Sequence, residues 1–245
     1  MKRLEALKDI HKGKRAFLIG LGPSLKVSDL EMLKDEITFS CNKVYLSFDK
    51  TDWRPTYYSI TDLFVAENTH NIVSSLPLKK IFSDNILDYF PPNQGLNSGI
   101  TWVKHHKKIR NNDGELIFNF SKDLCSGTYR GGSVIYFQMQ LAFYMGIKEM
   151  YLLGVDFSYK NSEESNEDSM HGKVLISGSN EGNHFHPNYR KKNEKWSKPD
   201  MERQLKAYLY AKEFLYKRGV SVQNLTPNSK LSVFDRNTLV QVLKN

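Results

Sequence analysis

The sequence has few of the features that mark membrane-spanning, secreted or disulfide-rich proteins. Its 245 residues include two cysteines, Cys41 and Cys125, which give neither a disulfide framework nor the spacing of a zinc site. No apolar run approaches the roughly 20 residues that cross a bilayer. Residues 1–14 also lack the apolar block of a signal peptide. We therefore expect a cytoplasmic protein, and we expect no bound metal.

The sequence has fewer acidic residues than basic ones, 27 against 35. A net charge of +8 fits an anionic substrate, a nucleic acid or an acidic membrane surface. The basic residues are densest at 104–108 and 190–198, and neither cluster resembles a nucleic-acid-binding module. We expect no nucleic-acid partner, and leave open peripheral contact with the inner membrane face and a homo-oligomer. His105 and His106 are expected on a solvated surface, because no carboxylate or cysteine accompanies them at ligand spacing.

Neither common nucleotide-binding signature is complete. The apolar run 16–19 predicts a strand buried on both faces, and it leads into Gly20-Leu-Gly22-Pro23-Ser24. Such a turn, with a helix starting at Pro23, would direct several N–H groups at an anion. Leu25 replaces the third glycine of a dinucleotide fingerprint, and no lysine followed by serine or threonine completes a P-loop. A tight turn without a ligand is the alternative interpretation.

Polar side chains follow three further predicted strands. These strands end at Asn42, at Asp62 and at Gly154, and Asp156 comes just after the last of them. The carboxyl ends of parallel strands meet at one edge of a sheet, where ligands bind. Asn42 would either contact a base or sugar there, or cap the next turn.

A second glycine–serine loop precedes an apolar helix. Gly131-Gly132-Ser133 predicts a helix start with Ser133 as N-cap, and Gly146 predicts its end. Residues 134–145 are apolar on most sides, so this helix is expected at the centre of the fold. Its loop and the first glycine loop should face one cleft.

A polar segment interrupts the second half of the chain. Residues 158–182 carry too little apolar surface to order themselves, so we expect a mobile insertion over the site. His184, His186 and Tyr189 stand at its end, and a histidine can serve as a general base near pH 7. Two surface histidines are the alternative. We expect an α/β fold with a mostly parallel, Rossmann-like sheet flanked by helices, one domain over 1–245 and a lid over 158–200.

Several motifs together resemble a known family. They are GLGPSLK, the strand end Cys-Asn, GGSV, GIKEMYLLGVDFSY, NHFHPNY and LTPNSKLSVFDR, spread over roughly residues 14–236. In this order they resemble the MptE-like group, which is named for an archaeal hydroxymethylpterin pyrophosphokinase. They are also similar to the catalytic domain of flagellin-modifying glycosyltransferases and to the family 42 sialyltransferases.

The resemblance implies a GT-A or sialyltransferase-like Rossmann fold with a small lid. It implies transfer of a CMP-activated, sialic-acid-like sugar to a surface glycan, without a metal. A lid histidine would be the base, and tyrosines would assist the leaving phosphate. The catalytic residues by position are His184, His186, Tyr159 and Tyr189. The nucleotide-binding residues are Gly20, Gly22, Pro23, Ser24, Asn42, Asp62, Gly131, Gly132, Ser133 and Asp156.

Two other functions stay open at this stage. The sialyltransferases have Thr-Ser-Gly where this chain has residues 131–133, and their histidine spacing differs from His-Phe-His. One alternative is a pyrophosphokinase that uses Mg-ATP and a pterin-like alcohol. That chemistry needs clustered carboxylates, for which Asp62 and Asp156 are the candidates. The other alternative is a non-catalytic nucleotide- or glycan-binding protein.

Overall fold

The computed structural model describes residues 2–159, 163–169, 172–178 and 182–244. The helices of this part are α1 (Lys2–Glu5), α2 (Val27–Glu31), α3 (Leu63–Ser75), α4 (Val134–Tyr144), α5 (Met201–Tyr216) and α6 (Leu239–Leu243). The strands are β1 (Arg15–Ile19), β2 (Thr38–Cys41), β3 (Tyr57–Ser59), β4 (Ile81–Ser83), β5 (Thr101–Val103), β6 (Ile109–Arg110), β7 (Leu116–Ile117), β8 (Glu149–Leu153), β9 (Glu163–Ser169), β10 (Gly172–Ile176), β11 (Lys195–Ser197), β12 (Ser221–Asn224) and β13 (Asp235–Arg236). None of these helices is long and apolar enough to cross a membrane.

A six-stranded parallel sheet forms the centre of the molecule. Its strand order is β13-β12-β8-β1-β2-β3, and every neighbouring pair is parallel. The chain runs from β1 to β2 and β3 on one side, and later returns to β8 and β12 on the other. Ligands of open parallel sheets bind outside the carboxyl ends at such a reversal. The predicted α/β, Rossmann-like class is confirmed. The strand order places the reversal between β1 and β8.

Helices cover both faces of this sheet. Ala16 and Leu18 of β1 lie in one core with α4 and α5, whereas Phe17 and Ile19 lie in a second core with α2, α3 and α6. Each of these four side chains is fully buried. A strand that is buried on both faces must be apolar at every position, which explains the run recognised in the sequence.

Helix α4 forms where the sequence predicted it. The Ser133 hydroxyl accepts a hydrogen bond from the Ile135 N–H, so Ser133 is the N-cap. Gly146, with φ of +85°, follows the end of the helix. Most side chains of α4 are buried on all sides, as expected for the central helix.

The first helix is much shorter than predicted. The sequence of residues 1–14 predicts a short amphipathic helix that ends near Gly13, but α1 ends at Glu5 and turns follow it. The N–H groups of Asp9, His11 and Gly13 donate to the carbonyls of residues 144, 145 and 146 at the end of α4. These donors satisfy the orphan carbonyls of α4, so they cannot continue α1.

The polar insertion contains strands. Its described residues 163–169 and 172–176 form β9 and β10, and β10 pairs antiparallel with both β9 and β11. Leu175 is buried opposite Trp196, so one face of this small sheet has its own apolar contacts. These strands were not predicted from the sequence, and β10 is ordered against β11, which lies outside the polar segment; the expectation of a mobile insertion stays a prediction. Residues 160–162, 170–171 and 179–181 lie outside the described part, and the lid boundary of 158–200 stays a prediction.

Candidate functional site

A cavity of about 250 Å³ lies at the carboxyl edge of the central sheet. The ends of β1, β2, β3 and β8 and the start of α4 form one side of it, and residues 183–208 supply the other. Its lining includes these residues proposed from the sequence: Gly20, Gly22, Asn42, Asp62, Gly132, Ser133, Asp156, Tyr159, His184 and Tyr189. Pro23, Ser24, Gly131 and His186 are not part of the lining. The roles assigned to all of these residues stay predictions.

The loops after β1 and β8 approach each other more closely than side chains would allow. The Gly20 N–H donates to the carbonyl of Leu153 at 2.8 Å, and the Gly22 N–H donates to that of Gly154 at 2.9 Å. A Cβ on Gly20 would lie 2.5 Å from the Gly154 oxygen, and a Cβ on Gly154 would lie 2.5 Å from the Gly20 oxygen. Glycine is therefore required on both sides of the sheet reversal.

The first glycine loop holds a carboxylate. The Ser24 N–H donates to Asp156 Oδ1 at 3.2 Å, and the Ser24 hydroxyl donates to Oδ2 at 2.9 Å. Phe157, the next residue, has φ of +54°, a rare value for a large side chain. Burial raises the pKa of Asp156, although the bonds from Ser24 act against this shift.

These contacts correct the expected start of the second helix. It was predicted to begin at Pro23, but α2 begins at Val27, because the Ser24 N–H is bonded to Asp156 and the Leu25 N–H to the Gly22 carbonyl. The loop therefore presents an oriented carboxylate to the cavity. Such a group accepts hydrogen bonds from hydroxyl or amino groups of a ligand.

We expect Gly22→Ala to lower the free energy of unfolding by about 1–3 kcal/mol. A Cβ at this position would lie 1.9 Å from Asp156 Oδ2 and 2.9 Å from the Gly154 oxygen, so the two loops must separate. Gly99→Ala is the matched control, because its Cβ would meet nothing within 4 Å. Urea unfolding of both variants measures the difference, and equal midpoints would contradict this account of the loop.

A stack of rings and a guanidinium forms the opposite wall. The rings of His184 and Tyr189 are parallel, with an interplanar angle of 4° and centroids 3.7 Å apart. The Arg190 guanidinium lies 3.7 Å above the Trp196 ring. Burial, together with the charges of Arg190 and Lys43, holds the pKa of His184 well below its usual value. The imidazole is therefore neutral at pH 7.

The two candidate histidines differ in position. His184 lines the cavity, whereas His186 uses Nδ1 to accept a hydrogen bond from the Asn188 N–H at 3.1 Å. Phe185, between them, donates its N–H to the Leu21 carbonyl at 3.0 Å. This bond fixes the histidine segment against the first glycine loop.

A buried ion pair ties the same segment to the end of β2. Lys43 Nζ lies 2.5 Å from Glu194 Oε1 and donates to the Tyr189 carbonyl at 2.8 Å. The other oxygen of Glu194 accepts the Lys191 N–H. Both side chains of the pair are 6% exposed. Burial lowers the pKa of Lys43, and Glu194 opposes that shift.

Sequence reasoning missed a basic group at the far end of the cavity. Lys108, Arg130 and Arg203 line it there, together with His105. The expectation of a solvated His105 is wrong: the ring is half-buried, packs edge-on against Phe137, and places Nδ1 2.9 Å from the Thr128 hydroxyl. The tract KHHKK, residues 104–108, was the available signal in the sequence, but only the folded chain shows that it reaches the cavity.

The acidic residues of the cavity are already bonded to protein donors. Asp62 caps α3 and accepts from the Ser197 hydroxyl, while Asp200 caps α5. Asp156 is bonded to Ser24, and Glu194 to Lys43. The described residues contain no group of three side chains suited to a metal ion. This donor set fits a Mg-nucleotide poorly.

Comparisons with known proteins agree with this architecture. The chain is similar to the MAf glycosyltransferase from Magnetospirillum magneticum AMB-1, with a TM-score of 0.55 and 13% sequence identity. The match covers 95% of this chain but spans only 35% of that one. Likeness at this identity shows a shared fold alone. No curated protein matches the sequence.

A family model gives the relationship more directly. The model described as 6-hydroxymethylpterin diphosphokinase MptE-like matches residues 1–162. The matched part contains β1 to β8 and both glycine loops. Because it is more than half of the 245 residues, the protein belongs to the MptE-like family.

Proposed function

We propose that this protein is a glycosyltransferase that uses a nucleotide-activated sugar, specifically a CMP-linked, sialic-acid-like donor, and a surface glycan as acceptor. The observation that carries this proposal is the cavity at the sheet reversal. Two glycine loops and an oriented carboxylate face a neutral histidine across it. The similarity in fold to a glycosyltransferase supports the same class of reaction.

The proposed reaction is a single displacement. An acceptor hydroxyl attacks the anomeric carbon of the donor, and the bond from that carbon to the phosphate oxygen breaks. The electron pair of that bond leaves with the nucleoside monophosphate, and the hydroxyl proton passes to His184. A positioned base of this kind contributes about 10²–10⁴-fold to the rate.

Tyr189 is suited to stabilise the leaving phosphate. Burial raises the pKa of its phenol, so it stays protonated, while a hydrogen bond from the Asn42 side chain acts in the opposite direction. A phenol oxygen that accepts from Asn42 keeps its O–H free to donate to an anion. Together with the charge of Arg190 it would replace a metal at the leaving group, so we propose no metal cofactor.

The second candidate function is a diphosphokinase acting on a pterin-like alcohol. The description of the matching family model favours it. Such a reaction uses Mg²⁺ held by carboxylates, and the carboxylates of this cavity are bonded to Ser24, Lys43 and two helix N-termini. The third candidate, a non-catalytic binding protein, would use the same cavity without a base.

A thermal-shift panel of CMP, CDP, UDP and ATP, with and without Mg²⁺, separates these functions. A ligand at one hundred times its dissociation constant stabilises by about 2.7 kcal/mol, which raises Tm by about 5–10 °C for a chain of this length. We expect CMP to stabilise without Mg²⁺. Stabilisation by ATP only with Mg²⁺ would instead support the diphosphokinase. No response to any nucleotide would reject the donor class proposed above.

A further inference from the structure

Three cationic side chains converge at the end of the cavity next to the second glycine loop. They are Lys108, Arg130 and Arg203. Arg203 lies against Gly132, whose φ is +81°, and a Cβ there would be 2.8 Å from Arg203 Nη2 and 2.9 Å from Nε. Glycine at 132 therefore leaves room for this guanidinium beside the N-terminus of α4.

The guanidinium of Arg203 is only partly paired by its surroundings. The Arg203 side chain is 15% exposed, and its Nε is buried with no hydrogen-bond partner among the described residues. Within the described part of the chain, Asp200 and Asp84 face the cluster, and Oδ2 of Asp200 lies 4.0 Å from that Nε. One oxygen of Asp200 accepts a hydrogen bond from the backbone N–H of Arg203. One oxygen of Asp84 accepts a hydrogen bond from the backbone N–H of His105.

Electrostatics show the same imbalance. Burial lowers the pKa values of Arg203, Arg130 and Lys108, and repulsion from neighbouring cations adds to the shift for Arg130 and Lys108. Asp84 and Asp200 only partly oppose these shifts. A guanidinium whose buried Nε–H makes no hydrogen bond costs stability, and a bound carboxylate or phosphate would relieve that cost through paired hydrogen bonds.

We propose that Lys108, Arg130 and Arg203 form a subsite for an anionic group, a carboxylate or a phosphate, carried by the acceptor. The assignment to the acceptor rests on the proposed function, and position supports it. The same three cations also line a second small depression, formed with the β6–β7 hairpin. The cluster thus lies where the cavity meets this second depression, next to the second glycine loop. An acidic glycan fits this arrangement better than a neutral one.

The test measures binding of inorganic phosphate and of acetate by calorimetry, at an ionic strength held constant with chloride. The variants are Arg203→Gln and Arg203→Lys, and the control is Lys206→Gln, an exposed cation on the same helix that is paired with Glu202. We expect Arg203→Gln to weaken binding of the preferred anion about tenfold or more. Arg203→Lys should bind this anion with an affinity between those of Arg203→Gln and the wild type, because it keeps the charge but loses the planar arrangement of donors. Lys206→Gln should match the wild type.

CMP binding by the same variants separates this proposal from the proposed function. We expect Arg203→Gln to bind CMP as the wild type does, and to keep or raise the ligand-free Tm because repulsion within the cluster is relieved. Equal affinity of Arg203→Gln and wild type for both anions would overturn the subsite. Parallel loss of CMP and phosphate would also overturn it, because the cluster would then belong to the donor site. If no protein binds CMP but Arg203→Gln still loses phosphate, the subsite stands and the proposed function fails.

Discussion

Replacing Lys43 with methionine is expected to lower the free energy of unfolding by about 3–5 kcal/mol. The substitution keeps an unbranched side chain of similar length but removes the ammonium group. Glu194, 6% exposed, would then be buried as an uncompensated charge. The Tyr189 carbonyl would also lose its donor. Urea unfolding gives the difference directly.

Two further variants make this result specific. The double variant Lys43→Met with Glu194→Met removes both charges, and we expect it to recover most of the lost stability, because an apolar pair of similar volume replaces the ion pair. Lys217→Met breaks the pair between Lys217 and Glu213, whose side chains are about two-thirds exposed, and should leave the free energy of unfolding almost unchanged. A Lys43→Met loss no greater than that of Lys217→Met would show that the buried pair does not hold the segment.

Removing the imidazole of His184 is expected to lower turnover of the CMP-sugar by about 10²–10⁴-fold. His184→Phe is the preferred variant, because its ring can keep the stacking contact with Tyr189. CMP binding should persist, since the base acts on the acceptor hydroxyl. His186→Ala should leave turnover nearly unchanged. A larger loss in His186→Ala than in His184→Phe would reverse the assignment of the base.

The pH dependence gives an independent check on His184. The pKa of His184 in the folded protein is well below the usual 6.5. We therefore expect kcat/KM to stay high through pH 6.5 and to fall only near the lower, folded-state pKa. The free energy of unfolding should depend on pH in the same direction as kcat/KM. The contribution of the neutral imidazole is present above pH 6.5 and is lost as the pH falls toward the folded pKa, because the unfolded chain then binds the extra proton. His184→Phe should flatten this part of the Tm profile.

Local signals in the sequence predicted much of the fold. The apolar run of β1, the N-cap Ser133 and the terminating Gly146 each act within a few residues, and each is found in the structure. The predictions that differed involve distant partners. Helix α1 stops early because residues 9–13 pair with the end of α4, and the start of α2 shifts because Ser24 is bonded to Asp156, 132 positions away.

The site was predictable in outline but not in its electrostatics. Residues at strand ends and in the glycine loops were recognised because strand direction alone brings them to one edge. The pair of Lys43 and Glu194 joins residues 151 positions apart, and the Arg203 cluster draws on three separate segments. Neither has a local sequence pattern. The strands of the polar insertion were missed because backbone pairing, rather than an apolar alternation, marks them.

Gly20, Gly22 and Gly154, which join the loops after β1 and β8, lie within residues 1–162. His184, Arg190 and Arg203 follow that range. The glycine framework of the cavity and the proposed base are thus encoded one after the other along the chain. A relative could keep the framework and exchange the later segment, and so catalyse a different group transfer on the same scaffold. This division offers a physical reason why a name taken from a pterin kinase and a fold shared with a sugar transferase can describe a single molecule.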